Sequence, residues 1–150
     1  MTGEIFTIGY ASVTQDALID ALCEARVEVL ADVRALPLSR RAGFSKTSLK
    51  AAVEEAGLTY LHFRDLGTPK DGRDATRRGD YATLEQIYAG QLELPEALAQ
   101  MAQLQAIARE KRTCLLCYCE DAAKCHRALL VSDAFNGWKR NDLHPAELAG

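Results

Sequence analysis

Apolar residues fall in short blocks of two kinds. Glu4 to Ile8, ending in Gly9-Tyr10, and Val27 to Val33 are compact apolar runs of strand length, and Leu58 to Phe63 alternates with Tyr60 and His62 as a third strand. Between the first two, Ser12 and Gln15 have the spacing of a capping box, and Leu18, Ile19, Leu22 and Cys23 follow with helical spacing. Pro37 and Gly43 punctuate the next loop, after which Ser45 is placed to cap a helix through Glu55, with Gly57 just past its end.

The stretch Arg64 to Asp80 turns polar and glycine-bearing and predicts a long loop, a length uncommon outside lids and binding loops. Helices are predicted at about Tyr81 to Ala89 and, with Pro95 suited to a first turn, at about Glu96 to Glu110. Thr113 to Cys117 reads as a buried strand, Cys119 to Lys124 as a turn, and Cys125 to Phe135 as a helix that Gly137 stops. Asp142-Leu143-His144 adds a short final strand.

This alternation predicts a single α/β domain over residues 1–150, a Rossmann-like three-layer arrangement of a mostly parallel sheet with helices on both faces. Right-handed crossovers between parallel strands bring the strands' carboxyl ends to one edge, whatever the sheet order. Tyr10, Arg34 and Arg64 then share a rim with Cys119, Glu120, Cys125, His126 and Arg127.

Composition narrows the class. With 48% hydrophobic and 26% charged residues, the chain is an ordinary globular one. No apolar run reaches bilayer length, and the start MTGEIFTIGY lacks the basic and apolar regions of a secretory leader. Five cysteines, an odd number clustered beside histidine, suit free thiols or a metal site better than disulfides, so a reducing, cytoplasmic location is expected. The net charge of −3 excludes a wholesale nucleic-acid coat. Yet Arg34, Arg40, Arg41, Lys46 and Lys50 fall between Asp32 and Glu54 with no acidic residue among them, which predicts a local basic surface.

The pieces TIGYAS, VEVLADVRALPLSRRAGFS, LTYLHFRDLG and LLCYCEDAAKCHRALL run in order from Thr7 nearly to His144. On them the chain resembles the family known as domain of unknown function 488, and it looks like a branch with Cys117-x-Cys119 before the Cys125-His126-Arg127 triplet. The resemblance implies a compact α/β fold and carries no settled activity.

Three chemistries compete for the segment Cys114 to Arg127. Cys125, if it opens a helix beside His126 and Arg127, has the electropositive surroundings that stabilise a thiolate, with Cys119 as a resolving partner and Glu120 or His126 moving protons. The spacing matches neither Cys-x-x-Cys nor the phosphatase loop. Cys117, Cys119, Cys125 and His126 are four donors of types zinc accepts. Neighbours on a helix point about a hundred degrees apart, however, which argues against Cys125 and His126 sharing an ion, and no metal or cofactor is expected. Binding of an anion asks least of the geometry: Arg34, Arg40, Arg41 and Arg127 clamp a phosphate, with Tyr10 and Phe44 offered to a base. The sequence therefore favours a phosphate-bearing small molecule or a nucleic acid as partner, with no membrane contact. A thiol-dependent enzyme and a non-catalytic nucleic-acid module are the alternatives.

Overall fold

A computed structural model describes residues 3–119 and 125–145. Five parallel strands, β1 (Glu4–Gly9), β2 (Val29–Asp32), β3 (Thr59–His62), β4 (Thr113–Cys117) and β5 (Lys139–Leu143), form one sheet in the order β3-β2-β4-β1-β5. The helices are α1 (Gln15–Glu24), α2 (Lys46–Glu55), α3 (Lys70–Arg77), α4 (Tyr81–Leu92), α5 (Pro95–Glu110) and α6 (His126–Ala134). This is the expected three-layer α/β fold. No helix among the described residues is long and apolar enough to cross a membrane.

Side-chain alternation along the strands divides the interior in two. Phe6, Ile8, Leu30, Tyr60, Cys114 and Leu116 face α1 and α2 and pack with Leu18, Leu22, Leu49 and Val53. Ile5, Ala31, Val33 and Leu115 face the opposite way, onto Tyr88, Met101, Leu104 and Leu130 of α4, α5 and α6. The connections from β1 and β2 run towards the β3 edge, whereas those from β3 and β4 run towards the β5 edge. The neighbours β2 and β4 therefore send their chains to opposite edges and opposite faces. Such a divergence opens a crevice at the carboxyl ends of the two strands.

Local details depart from the sequence reading where one polar side chain had two possible partners. Thr14, with extended backbone angles, is the N-cap of α1 and accepts from the Ala17 amide at 3.1 Å, so Ser12 and Gln15 form no capping box. The Gln15 amide instead donates to the Gly43 carbonyl at 2.7 Å and ties α1 to the loop before α2. Ser45 does precede α2, but its hydroxyl serves Ser39, accepting from that amide at 3.0 Å and donating to that carbonyl at 3.2 Å.

The long loop expected over Arg64 to Asp80 is corrected. It holds a 3-10 turn at Arg64–Leu66 and the helix α3, which ends before Gly79 at φ 74°. Only Gly72 and Ala75 of α3 are buried, so the helix offers small residues rather than an apolar stripe to its neighbours. Its exposed side carries Asp74 within 3.5 Å of Lys70 and 2.6 Å of Arg77. Ion pairs on such exposed side chains contribute about 0–1 kcal/mol each. Asp74→Ala is thus expected to lower stability by about 1 kcal/mol or less in urea unfolding, and a loss above about 2 kcal/mol would mean the pairs do more than decorate a surface.

Candidate functional site

Two buried clusters lie at the carboxyl ends of β2 and β4, one on each face of the sheet. The first grows from Asp32 at the end of β2. The strand turns Asp32 towards α1 and α2, where it is fully buried, and an ionised carboxylate there requires a partner. Arg34 supplies it with a two-pronged contact, Nε to Oδ1 at 2.8 Å and Nη2 to Oδ2 at 2.7 Å. Its remaining nitrogen, Nη1, donates to the Phe44 carbonyl at 2.6 Å and the Tyr10 hydroxyl at 3.0 Å, and the Tyr60 hydroxyl donates to Asp32 Oδ2. Burial pulls the Arg34 guanidinium down, but the hydrogen bond and charge of Asp32 outweigh it and hold the group above its ordinary value. Burial pushes the Tyr60 phenol up, and the Asp32 charge adds to that, so Tyr60 stays a donor. The rings of Tyr10 and Phe44 stack on each other at 4.6 Å and are both buried.

The second cluster lies on the α4–α6 side. Leu115 and Cys117 of β4 point away from α1 and α2, and Cys125 is the N-cap of α6, in extended conformation at φ −144° and ψ 161°. The extended cap turns Cys125 back towards the strand end, while His126 is the first residue of the helix proper. Ligand atoms of Cys117, Cys125 and His126 all lie within 4.8 Å of one another, and all three residues are buried. Cys125 Sγ is 3.4 Å from His126 Nδ1. His126 Nε2 lies 2.8 Å from the Val33 carbonyl, an acceptor only, so Nε2 carries a proton and Nδ1 is the nitrogen that faces the thiol. Tyr88 of α4 closes over the imidazole edge-on at 5.2 Å and donates its hydroxyl to the Leu66 carbonyl at 2.6 Å. Arg127, almost fully buried, donates Nη2 to the Cys119 carbonyl.

Burial alone would raise the Cys125 thiol, yet hydrogen bonds from Cys117 and Cys119 and the His126 charge together hold it well below the ordinary thiol range. Burial likewise lowers His126, but the Cys125 charge and hydrogen bond lift it above the usual imidazole value. The two shifts describe one thiolate–imidazolium pair. Cys117 is driven well above the ordinary range, by burial first. For Cys119, the bond to Cys117 acts downward, but the bond to Cys125 and burial prevail and push it to about 12. Negative charge is thus favoured on Cys125, beside His126, and disfavoured on Cys117 and Cys119.

Sequence reasoning put the named residues on one rim, and the structure sorts them. Cys119, Cys125, His126 and Arg127 come together; Tyr10, Arg34 and Phe44 form the separate cluster on the other face. Arg41 donates to the Val13 carbonyl and lies over the Phe44 ring, and Arg40 is exposed on the same loop. Glu120 lies outside the described residues. Three contributors had no place in the sequence reading of the site. The Val33 carbonyl is backbone and has no signature, and Tyr88 reads as ordinary helix core. Gly9 had a signal, since glycine at a strand end marks close backbone approach: a β-carbon there would sit 1.9 Å from the Cys119 carbonyl oxygen.

Fold and site together define a parallel α/β domain with a buried thiol–imidazole centre at the point where its crossovers diverge. The sequence pattern of the family described as domain of unknown function DUF488 matches residues 14–133, and the chain belongs to that family. No curated protein and no solved structure matches the chain.

Proposed function

We propose that the centre performs thiol chemistry, with Cys125 as nucleophile and His126 as its proton partner, in a reducing compartment such as the cytoplasm. The observation that carries this reading is the 3.4 Å approach of Cys125 Sγ to His126 Nδ1 while Nε2 is tied to Val33. An imidazole so anchored holds its free nitrogen on the sulfur through a reaction cycle. Arg127 adds positive charge from the first turn of α6, where unpaired amides favour an anion as well. Attack by the Cys125 thiolate on a small soft electrophile forms the bond to sulfur and expels a leaving group, which takes the Nδ1 proton of His126. With a disulfide substrate, the Cys119 thiol then attacks Cys125, releases the second thiol and leaves a Cys119–Cys125 disulfide, so the substrate is reduced and the protein dithiol oxidised.

A phosphate-bearing ligand clamped by arginines has less behind it. Arg34 would have to abandon Asp32, Tyr10 and the Phe44 carbonyl, and the stacked, buried rings of Tyr10 and Phe44 offer no open face to a base.

The reading is tested by brief iodoacetamide treatment of reduced, chelator-treated protein at mildly acidic pH. The ordinary thiol, with pKa near 8.5, is then protonated, and only a depressed one reacts. Cys125 is expected to label at least about tenfold faster than the exposed Cys23, and His126→Asn to slow Cys125 without affecting Cys23. Labelling led by Cys23, or slow and equal at all five cysteines, would remove the proposal.

A further inference from the structure

We infer that Cys117, Cys125 and His126 form a site for one soft divalent ion of the zinc class. The spacing objection read from sequence fails on geometry, because Cys125 is an extended cap and not a helical neighbour of His126. A tetrahedral zinc bonded to sulfur at about 2.3 Å and to imidazole nitrogen at about 2.0–2.1 Å spaces those two ligands about 3.5 Å apart. Cys125 Sγ and His126 Nδ1 are 3.4 Å apart. The three ligand atoms of Cys117, Cys125 and His126 lie within 4.8 Å of one another, which supplies three protein donors and leaves the fourth tetrahedral position to water or a substrate atom.

The surroundings fit a resident ion too. Metal-bound histidines characteristically donate their second ring N–H to a carbonyl or carboxylate, which fixes the ring for its ligand role. His126 does this to Val33 at 2.8 Å. Two thiolates and a neutral imidazole balance the charge of a divalent ion, so the buried site carries no net charge of its own. Two of the donors sit on rigid supports, Cys117 on a central strand and His126 on a helix. Each thiol releases its proton to solvent and gives an electron pair to the ion, with no change of oxidation state.

The inference uses the sulfur and nitrogen positions and does not depend on the thiol reading. It adds a regulator to that reading, because an ion that holds the Cys125 electron pairs silences the nucleophile. The experiment is titration of the reduced, metal-stripped chain with Co²⁺, followed by Zn²⁺ displacement. One equivalent of cobalt is expected to give the intense ligand-field and sulfur charge-transfer bands of a tetrahedral thiolate site, and zinc to abolish them. Cys117→Ser and Cys125→Ser are each expected to weaken uptake by more than the 10–100-fold typical of an outer partner, and Cys23→Ser, on the far face of α1, to leave it unchanged. No cobalt bands in the wild-type chain, or bands that survive Cys125→Ser and vanish with Cys23→Ser, would overturn the site. The alkylation assay on metal-free protein separates the two ideas. Fast Cys125 labelling without cobalt uptake sinks the metal site alone, and cobalt uptake with slow, equal labelling sinks the nucleophile alone.

Discussion

Asp32→Ala is expected to destabilise the fold by about 3–5 kcal/mol, the range for removing one partner of a buried ion pair. Asp32 is fully buried and Arg34 only 6% exposed, so the guanidinium left behind has no water to replace the two carboxylate oxygens. Arg34 would keep the Phe44 carbonyl and the Tyr10 hydroxyl, and the Tyr60 hydroxyl would lose its acceptor. In a chain of 150 residues that loss lowers Tm on the order of 10 °C. Denaturant unfolding, with the slope checked for two-state behaviour, measures it. A variant replacing both residues with apolar ones, Asp32→Leu with Arg34→Met, is expected to be more stable than Asp32→Ala, because it leaves no buried charge unpaired. A loss below about 1 kcal/mol for Asp32→Ala would show that Arg34 finds water or another acceptor on the fold's own terms.

The contrast with Asp74 explains which parts of the molecule could be read from residue order. Asp32 and Asp74 are the same residue type beside arginines a few positions away, and only burial distinguishes them. The apolar runs of β1, β2 and β4 announced a sheet covered on both faces, since such strands have no solvent side to alternate with. Sheet order was invisible, because it depends on which strands pair across long separations, as in Val29 with Thr113. The helix α3 was invisible for another reason: its buried face is Gly72 and Ala75, and small residues leave no periodic apolar mark.

The same limit governed the site. Clustering of Cys117, Cys119, Cys125 and His126 in the sequence marked the segment from the end of β4 to the start of α6, where Cys117, Cys125 and His126 come together. Whether Cys125 and His126 could act on one atom turned on a single backbone choice, cap or first helical turn, which shifts the direction of a side chain without altering the pattern. Arg34 was placed at the correct edge, but its partner was decided by the strand's pleat. Asp32 and Arg34 fall on one face and Cys117 on the other, so the rim became two clusters.

Gly9→Ala is expected to damage both clusters' common support. Gly9 pairs with Cys117 in register at the end of β1, and its φ is not positive, so the requirement is for space and not for an unusual backbone conformation. The added β-carbon would fall 1.9 Å from the Cys119 carbonyl oxygen and 3.1 Å from Arg127 Nη2. The oxygen belongs to the backbone and cannot rotate away, so the chain after β4 must move and the Arg127 bond to that carbonyl must break. Forced repacking of this kind costs about 1–3 kcal/mol, sometimes more. Cys119→Ala, which keeps the carbonyl and trims only a half-buried side chain, is expected to cost less than about 1 kcal/mol. Alkylation distinguishes a local from a global effect: in Gly9→Ala, Cys125 should lose at least about tenfold of its rate at mildly acidic pH in protein that remains folded by circular dichroism, because Cys119 and Arg127 no longer surround it. Wild-type stability together with wild-type labelling in that variant would show that the crowding at Gly9 is relieved without touching the thiol centre, and the close approach would then have no bearing on how Cys125 is held.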